Sequence, residues 1–339
     1  LGTGVLGRLP EVLKMTDHIS YCCTDPKCNK AGLSRSPDGL RCSGGHFFPF
    51  APGTDVPIFA SEAENSNEYS MANAAEIHDN ALRWVFRTFA GSEPDLRRRL
   101  VARLGLPPGA RVLVTGAGAG NDLPYLVAAL AGEGEIHAQD FAKEMLLAGE
   151  ARHREALGGT GIRLTFSVSD AMNLPFTDGY LDAAYHFGGI NLFPDIVGGI
   201  AEMNRVVRPG GRVVIGDEGI APWLAITELG KMLVNNNPLY AYAPPLASLP
   251  VTARDVRLTW ELCNCFYVID YQVSDQALPV DIDVPHLGRR GGTIRTRYAG
   301  KLEGIAPELR DEAYAEAVRR GLSRVAFLES ALRDALGKS

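Results

Sequence analysis

The sequence predicts an α/β protein in which helices cover both faces of a parallel sheet. Candidate strands alternate with helical segments through the middle of the chain, a glycine-rich turn follows the first strand, and an aspartate follows each of the next two. Such alternation is typical of βαβ units, because parallel neighbours need a crossover connection. The five candidate strands are residues 111–115, 134–139, 163–168, 181–187 and 212–217.

The composition is that of a globular protein without a general affinity for polyanions. Of its 339 residues, 46% are hydrophobic and 22% are charged, and the formal net charge is −6. A nucleic-acid partner is therefore not expected, and the basic clusters Arg97–Arg99 and Arg289–Arg290 are interpreted as solvated surface. The absence of an apolar run of about 20 residues predicts no membrane span. The lack of a signal-peptide layout predicts a cytoplasmic protein.

Changes in composition divide the chain into zones. Residues 15–60 are rich in Cys, Gly, Pro and Phe and predict a small module, and the polar residues 61–68 predict a linker. Residues 70–339 then form the main domain. Within it, prolines and aromatic residues interrupt the strand–helix pattern at 219–255, which predicts a lid or substrate insertion after the fifth strand.

The C-terminal third is less regular. The strand-like stretches 259–273 and 292–305 are predicted to extend the sheet at one edge, and an amphipathic helix is predicted from about 307 to 336. Cys263 and Cys265 alternate on the first of these stretches and are interpreted as packing residues.

The stretch ARVLVTGAGAGNDLPYL, residues 110–126, raises the question of which ligand its turn binds. Glycines let the backbone approach a ligand closely at the start of a helix. A phosphate-binding P-loop requires Gly-Lys-Ser/Thr, where this chain has Asn121 and Asp122. A dehydrogenase is the weaker interpretation, because the sixth-position glycine and the Tyr-x-x-x-Lys pair of the short-chain enzymes are both missing.

Two aspartates follow at suggestive distances. Asp140 ends the second strand, 20 residues after Gly120, where a carboxylate can accept both ribose hydroxyl protons. Asp170 follows the third strand, where it can accept from an adenine amino group. Each aspartate alone is equally well a turn residue or a helix cap, but their joint spacing argues against a chance arrangement.

These features resemble the class I S-adenosylmethionine (SAM) methyltransferases over roughly residues 72–218. The similarity rests on the G-x-G-x-G turn, on EIHAQDFAKEMLLAGEAR, on FSVSDAMNLPFTDGYLDAAYHFGGINLF and on MNRVVRPGGRVVIGDEG. FGGIN before a Pro-Gly-Gly turn is similar to the group that includes the quinone-biosynthesis methyltransferases.

The resemblance implies a Rossmann-like class I sheet and SAM as cofactor. Where the family usually has an acidic residue near the cofactor's ammonium this chain has Val114, and Thr115, Asn121 and Asp122 are candidate substitutes. The cofactor-binding candidates are Thr115, Gly116, Gly118, Gly120, Asn121, Asp140, Phe141, Met145, Asp170, Ala171, Met172, His186 and Phe187.

In this fold the acceptor approaches over the carboxyl ends of the fourth and fifth strands. His186, Asp217 and Glu218 lie there and are the catalytic candidates. His186 is a candidate general base or a structural histidine facing the cofactor, and the two acids are candidate bases or helix-start caps. The substrate-binding candidates, which would equally serve as lid core, are Asn191, Trp223, Asn236, Tyr240, Tyr242 and His286.

The N-terminal module holds two short pairs of metal-ligand residues. Cys23-x4-Cys28 and Cys42-x3-His46 suit one tetrahedral, structural Zn²⁺, because each pair can close around the ion locally. Cys22 is an alternative to Cys23, and buried free thiols or a redox pair are alternatives to a metal. The following FFPFAPGTDVPIF resembles the strand that closes zinc ribbons.

Three hypotheses for function follow. The first is methyl transfer to a small acceptor, such as a secondary metabolite or a quinone-like, aromatic molecule. The second is an rRNA or tRNA base methyltransferase with a zinc RNA-recognition module, a layout that resembles some large-subunit rRNA guanine methyltransferases. The third is a non-catalytic SAM-binding scaffold. A homodimer is compatible with the sequence.

Overall fold

The computed structural model describes residues 21–60, 69, 71–288, 291–299 and 305–338. The start of the predicted small module, the predicted linker at 61–68 and the pair Arg289–Arg290 lie outside the described residues. The chain divides into two compact units, one ending at Gln276 and the other beginning at Ala277.

The N-terminal part of the first unit is a small antiparallel sheet. Its strands are β1 (Leu33–Ser36), β2 (Gly39–Cys42) and β3 (Phe47–Pro49), in the order β1-β2-β3. Beyond β3, Ile58 forms a parallel bridge with Val168 at the edge of the central sheet. The small sheet is therefore continuous with the main body of this unit.

The central sheet has seven strands. It contains β4 (Arg111–Thr115), β5 (Gly134–Asp140), β6 (Ile162–Val168), β7 (Leu181–Phe187), β8 (Val207–Glu218), β9 (Arg254–Glu261) and β10 (Phe266–Gln272). Their order is β6-β5-β4-β7-β8-β10-β9. The first five pair in parallel and β10 pairs antiparallel with both β8 and β9. This confirms the predicted α/β fold class, and a reversal of strand order lies between β4 and β7, where ligands bind in open α/β sheets.

Alternation along the strands produces two apolar layers, one on each face. Val112 and Val114 of β4 belong to one buried cluster and Leu113 to the other, as expected where successive side chains point to opposite faces. The helices that accompany the parallel strands are α1 (Ala74–Thr88), α2 (Glu93–Ala102), α3 (Leu123–Leu130), α4 (Lys143–His153) and α5 (Ile196–Val206).

The insertion after β8 folds as short helices and turns. It contains α6 (Pro222–Ala225) and α7 (Glu228–Asn236), and Thr227 Oγ1 caps α7 by accepting from Gly230 N at 3.1 Å. The chain then returns to the sheet through β9 and β10.

The stretch 259–273 extends the sheet at one edge as predicted, but it is not a single strand. It forms the end of β9, a turn and β10, which together make a hairpin. Leu262, Cys263 and Asn264 have φ of 45°, 56° and 66°, so the chain reverses there. Cys263 consequently lies exposed in the turn and is not a packing residue, whereas Cys265 is buried as predicted.

The second unit corrects two predictions. The described part of 292–305 does not extend the sheet: α8 (Ile294–Ala299) forms there, because Thr293 and Thr296 cap each other's backbone N–H groups at 3.1 and 2.7 Å. The predicted final helix is two helices, α9 (Pro307–Arg319) and α10 (Arg324–Ala335), separated at Gly321, which has φ of 69°. Within the described ranges, every helix is too short or too polar to reach across a bilayer.

Candidate functional site

The glycine turn after β4 depends on backbone conformations that favour glycine. Gly116, Gly118 and Gly120 have φ of 58°, 52° and 78°, in the left-handed region. A Cβ at Gly116 would lie 2.9 Å from His186 Cε1, and one at Gly120 would lie 2.7 Å from His153 Cδ2. Side chains at these positions would therefore collide with buried residues that pack against the turn.

Asp140, at the end of β5, is hydrogen-bonded to this turn. Its Oδ2 accepts from Gly118 N and its Oδ1 from Ala142 N, both at 2.7 Å. Burial raises the pKa of Asp140, although the same two backbone donors oppose the shift. Because each carboxylate oxygen has a second lone pair, both remain able to accept a further hydrogen bond.

The loop after β6 places Asp170 at the same edge. Ser169 N donates to the Asp140 carbonyl oxygen at 3.0 Å, so the two strand ends are adjacent. Asp170 Oδ1 accepts from Met172 N at 2.8 Å and fixes the turn. Ala171 is buried in it and Met172 is half-buried. The structure therefore brings the glycine turn, Asp140 and Asp170 together.

The other cofactor candidates lie around this edge. Met145 of α4 is buried, and its Cε would lie 3.4 Å from a Cβ at Gly118. Met145 packs in one cluster with Ala119 and Ala74, which brings the start of α1 onto the turn. Phe141 and Phe187 are half-buried at the ends of β5 and β7.

The three candidate substitutes for an acid at position 114 are occupied by protein partners. Thr115 Oγ1 lies 3.1 Å from His186 Nδ1. Asn121 bonds to Asp79 and Arg152 of neighbouring helices, at 3.3 and 3.1 Å.

Asp122 lies in a buried network. Its Oδ2 is 2.7 Å from Arg97 Nη1, and its Oδ1 accepts from Tyr185 OH at 2.9 Å. Both carboxylate oxygens of Asp122 therefore have partners within the protein, and its role toward the cofactor's ammonium stays a prediction. The interpretation of Arg97 as solvated surface is also wrong, because this residue is only 3% exposed.

His186 is fully buried beside the glycine turn. Its Nδ1 lies 3.0 Å from the Thr115 carbonyl oxygen, so Nδ1 carries the proton and donates. Burial lowers the pKa of His186 and favours the neutral imidazole. Its Nε2 has no hydrogen-bond partner within the described part of the chain, which leaves a buried acceptor close to the turn.

Asp217 and Glu218 end β8 on the acceptor side. The Asp217 carboxylate accepts from the backbone N–H groups of Gly189, Asn191 and Glu218 at 3.1, 2.7 and 2.8 Å. Asn191 in turn donates to the Glu218 carbonyl oxygen at 2.7 Å and accepts from Tyr267 OH at 3.0 Å. Asp217 and Asn191 therefore hold the loop after β7 in place.

Glu218 follows Asp217 at the end of β8, near Tyr240 and Tyr267. Burial, a side-chain hydrogen bond with Asp217 and the charge of Asp217 raise the pKa of Glu218 to about 9, which favours its protonated form at neutral pH. Tyr240 lies near enough for the Glu218 charge to help burial raise its phenol pKa. The Tyr240 ring is edge-on to Phe89 and Phe266, with centroids at 6.0 and 5.8 Å.

The remaining substrate candidates are placed differently. Trp223 is exposed and packs edge-on against Trp260. Asn236, at the end of α7, and Tyr242 are also exposed. His286 belongs to the second unit, where its Nδ1 accepts from Gly288 N at 2.9 Å. Their role in binding an acceptor stays a prediction.

The raised pKa of Glu218 predicts a pH-dependent stability. The folded protein keeps this proton where an unfolded glutamate, with a pKa of 4.5, has lost it. The free energy of unfolding therefore falls as pH rises toward 9, and the neutral variant Glu218→Gln removes this dependence.

Urea unfolding at pH 5.5 and 8.5 tests this prediction. Between these two pH values wild type should lose about 1–3 kcal/mol more unfolding free energy than the variant. Glu228→Gln, at an exposed position of α7, is the control, and equal pH slopes for wild type and Glu218→Gln would contradict the assignment.

The N-terminal module gathers the predicted metal ligands. One donor atom from each of Cys23, Cys28, Cys42 and His46 lies within 4.8 Å of the others. His46 Nδ1 is 3.7, 3.2 and 3.4 Å from the three sulfurs in that order. Four ligands around Zn²⁺ at about 2.0–2.3 Å have similar mutual separations, so the residues fit this metal.

Two further contacts refine the ligand set. His46 Nε2 lies 3.2 Å from Asp25 Oδ2, the arrangement in which a carboxylate orients a metal-bound histidine. Cys22, the alternative to Cys23, is not in the cluster and instead donates its backbone N–H to Pro175 O at 2.9 Å. Geometry therefore favours Cys23.

Several residues that organise the site were not singled out from the sequence. Asp79 of α1 and Arg152 of α4 form an ion pair at 2.8 Å over Asn121. Lys30 and Asn173 join the cysteine module to the loop of Asp170. No local pattern identifies such pairs, because each joins segments that are distant in the chain.

The strand order of the central sheet places the glycine turn, Asp140 and Asp170 at the edge where open α/β sheets bind ligands. In agreement, residues 112–211 match the family described as "Methyltransferase domain". The demethylmenaquinone methyltransferase of Beutenbergia cavernae is 33% identical over 159 residues, covering 43% of this chain and 61% of that relative.

Other comparisons cover different shares of the chain. UbiE of Bordetella avium, a ubiquinone/menaquinone biosynthesis C-methyltransferase, is 29% identical over 224 residues, or 62% of this chain and 81% of the relative. The chain spans less than two thirds of the Beutenbergia protein and about half of the mycobacterial relatives it matches. Among solved structures, phosphoethanolamine N-methyltransferase 2 of Haemonchus contortus with SAM superposes with a TM-score of 0.49 at 14% identity, covering 67% of this chain and 62% of that one.

Proposed function

We propose that this protein transfers a methyl group from SAM to a small-molecule acceptor that is quinone-like or another aromatic metabolite. The observation that carries the proposal is the convergence of the glycine turn, Asp140 and Asp170 at the carboxyl edge of the sheet. The quinone methyltransferase names of the relatives support this acceptor class.

The chain's own residues account for cofactor binding. In this proposal Asp140 accepts from the ribose hydroxyls, and the second oxygen of Asp170 accepts from the adenine amino group. His186 Nε2, an acceptor without a partner in the described residues, suits the ammonium of the methionine end in place of an acid at position 114. SAM supplies an activated methyl on a sulfonium, so the protein's main contributions are alignment and electrostatics.

On the acceptor side, Glu218 is the residue we assign to substrate recognition. A protonated carboxyl donates a hydrogen bond. Phe266 pairs with Glu218 across neighbouring strands, and it packs in one cluster with Tyr240 and Phe89. A phenol or quinol would match both, because its oxygen can accept the hydrogen bond and its ring can pack against the aromatic side chains. Asp217 holds the loop after β7. Because Nδ1 of His186 donates to the Thr115 carbonyl oxygen, its one acceptor, Nε2, is assigned to the ammonium, and this histidine has no proposed role as a base.

The test is turnover with a labelled methyl group. The full chain is incubated with methyl-tritiated SAM and a short-chain demethylmenaquinol, and binding of S-adenosylhomocysteine (SAH) is measured in parallel by calorimetry. Label in the extracted quinone supports the proposal. SAH binding without transfer to any quinol or phenol offered favours a scaffold, and transfer to rRNA alone favours the nucleic-acid hypothesis.

We also propose that Cys23, Cys28, Cys42 and His46 hold one structural Zn²⁺. Four protein ligands leave no open position, so the ion would stabilise the module and take no part in catalysis. Metal analysis after exhaustive dialysis should give one zinc per chain, and Cys42→Ser should lose it. Cys263→Ser, at an exposed turn, should retain the metal. Dialysed wild-type protein without zinc would contradict the assignment.

The domain organisation is part of the same proposal. A zinc-ribbon-like module at 15–60 precedes the methyltransferase domain at 70–339, and residues 219–255 act as a lid over the acceptor. The proximity of Tyr240 to Glu218 supports the lid.

A further inference from the structure

The cysteine module and the loop after β6 are joined by polar contacts. Lys30 Nζ donates to Asn173 Oδ1 and to the Leu174 carbonyl oxygen, both at 3.1 Å. Asn173 Nδ2 donates in return to the Thr24 carbonyl oxygen at 3.0 Å. The Lys30 ammonium and the Asn173 side-chain amide therefore link the cysteine module to the loop after β6.

On the module side, these contacts begin next to the proposed metal ligands. Thr24 directly follows Cys23, and Lys30 is two residues after Cys28. The turn directly after Cys28 contains Asn29 and Lys30 with φ of 44° and 54°, an unfavourable conformation for residues with side chains. Cys23 N donates to the Ala31 carbonyl oxygen at 2.8 Å on the far side of this turn, so an ion bound by Cys23 and Cys28 would hold its two ends together.

On the cofactor side, the contacts end in the turn of Asp170. Asn173 N donates to the Asp170 carbonyl oxygen at 3.0 Å, and Asp170 Oδ1 accepts from Met172 N at 2.8 Å. The adjacent Pro175 accepts from Cys22 N at 2.9 Å. Asn173 is thus shared between the module and the turn proposed to bind adenine.

We propose that Lys30 and Asn173 are positioning residues that couple metal occupancy of the module to cofactor affinity. The inference rests on the proposed function, since it needs both zinc and a bound nucleoside. Without metal the strained turn after Cys28 relaxes, and Asn173 loses its fixed partners. Ordering residues 170–175 then costs conformational entropy when the cofactor binds.

Such coupling is reciprocal, which supplies the main test. Calorimetry on the full chain should show SAH binding about tenfold more weakly after zinc removal, within the usual range of coupling. Saturating SAH should lower zinc loss to a chromophoric chelator at equilibrium by the same factor. The second measurement uses loaded wild-type protein and does not depend on how the metal-free chain behaves.

Substitutions of Lys30 and Asn173 test whether these two residues carry the coupling between zinc and SAH. Lys30→Met and Asn173→Ala should each reduce the effect of SAH on zinc retention to less than about threefold, and Lys30→Arg should restore part of it. Lys27→Met, an exposed lysine of the same module, should keep the full effect.

The outcomes separate this inference from those before it. A protein that binds SAH and one zinc, with neither affected by the other, overturns the coupling alone. Full coupling in Asn173→Ala and Lys30→Met overturns their role as positioning residues. Loaded protein that does not bind SAH overturns the proposed function together with the coupling, and a chain without zinc overturns the metal assignment together with the coupling.

Discussion

Asp140→Ala is expected to weaken SAH binding about a hundredfold, because two hydrogen bonds to a charged acceptor are lost at about 1.5–3 kcal/mol each, partly offset by water. The backbone N–H of Gly118, now 2.7 Å from Asp140 Oδ2, also loses its partner. Calorimetry at fixed pH and salt measures the change directly.

A second variant and a control separate ribose recognition from local folding. Asp140→Asn keeps an oxygen for one backbone donor, so we expect an affinity between those of wild type and the alanine variant. Asp195→Ala removes the cap of α5, a 2.9 Å bond from Gly198 N, and should cost stability without changing SAH affinity. Unchanged affinity in Asp140→Ala would refute the ribose assignment.

The sheet and the glycine turn were predictable because their causes are local. The five parallel strands contain apolar runs or alternate apolar with polar residues, and these patterns are visible in the sequence. A turn with positive φ at Gly116, Gly118 and Gly120 requires glycine and so is visible in the sequence. The ligand pairs of the cysteine module are also short-range, since each is closed by a few residues.

Competition between local signals explains the errors in the second unit. The run Thr293-Ile294-Arg295-Thr296 alternates like a strand, yet its two threonines form a reciprocal helix cap. The long C-terminal helix divides because Gly321 and the capping residue Ser323 end one helix and start another. The spacing of apolar residues alone does not reveal a break between two consecutive helices.

Long-range partners were not predictable at all. Lys30 and Asn173 are 143 positions apart, and nothing in either segment indicates the other. Asp122 was a candidate for the cofactor's ammonium because it follows the glycine turn, but the fold pairs it with Arg97 and Tyr185. A side chain's role at a site therefore depends on which neighbours the packing supplies.

Arg97→Met is expected to cost about 3–5 kcal/mol of unfolding free energy, because it leaves an unpaired buried carboxylate. Arg97 is 3% exposed and bonds to Asp122 at 2.7 Å and to Glu93 at 2.8 Å. Urea unfolding at neutral pH measures the loss. The matched control is Arg98→Met on the same helix, whose exposed pair with Asp95 should change stability by less than about 1 kcal/mol.

A double variant tests the cause. Asp122→Asn in the Arg97→Met background removes the stranded charge but keeps a hydrogen-bond acceptor for Tyr185, so part of the stability should return. A loss in Arg97→Met no larger than that of Arg98→Met would show that water reaches this network. Because Asp122 immediately follows the glycine turn, we expect Arg97→Met to weaken SAH binding as well, whereas Arg98→Met should leave it unchanged.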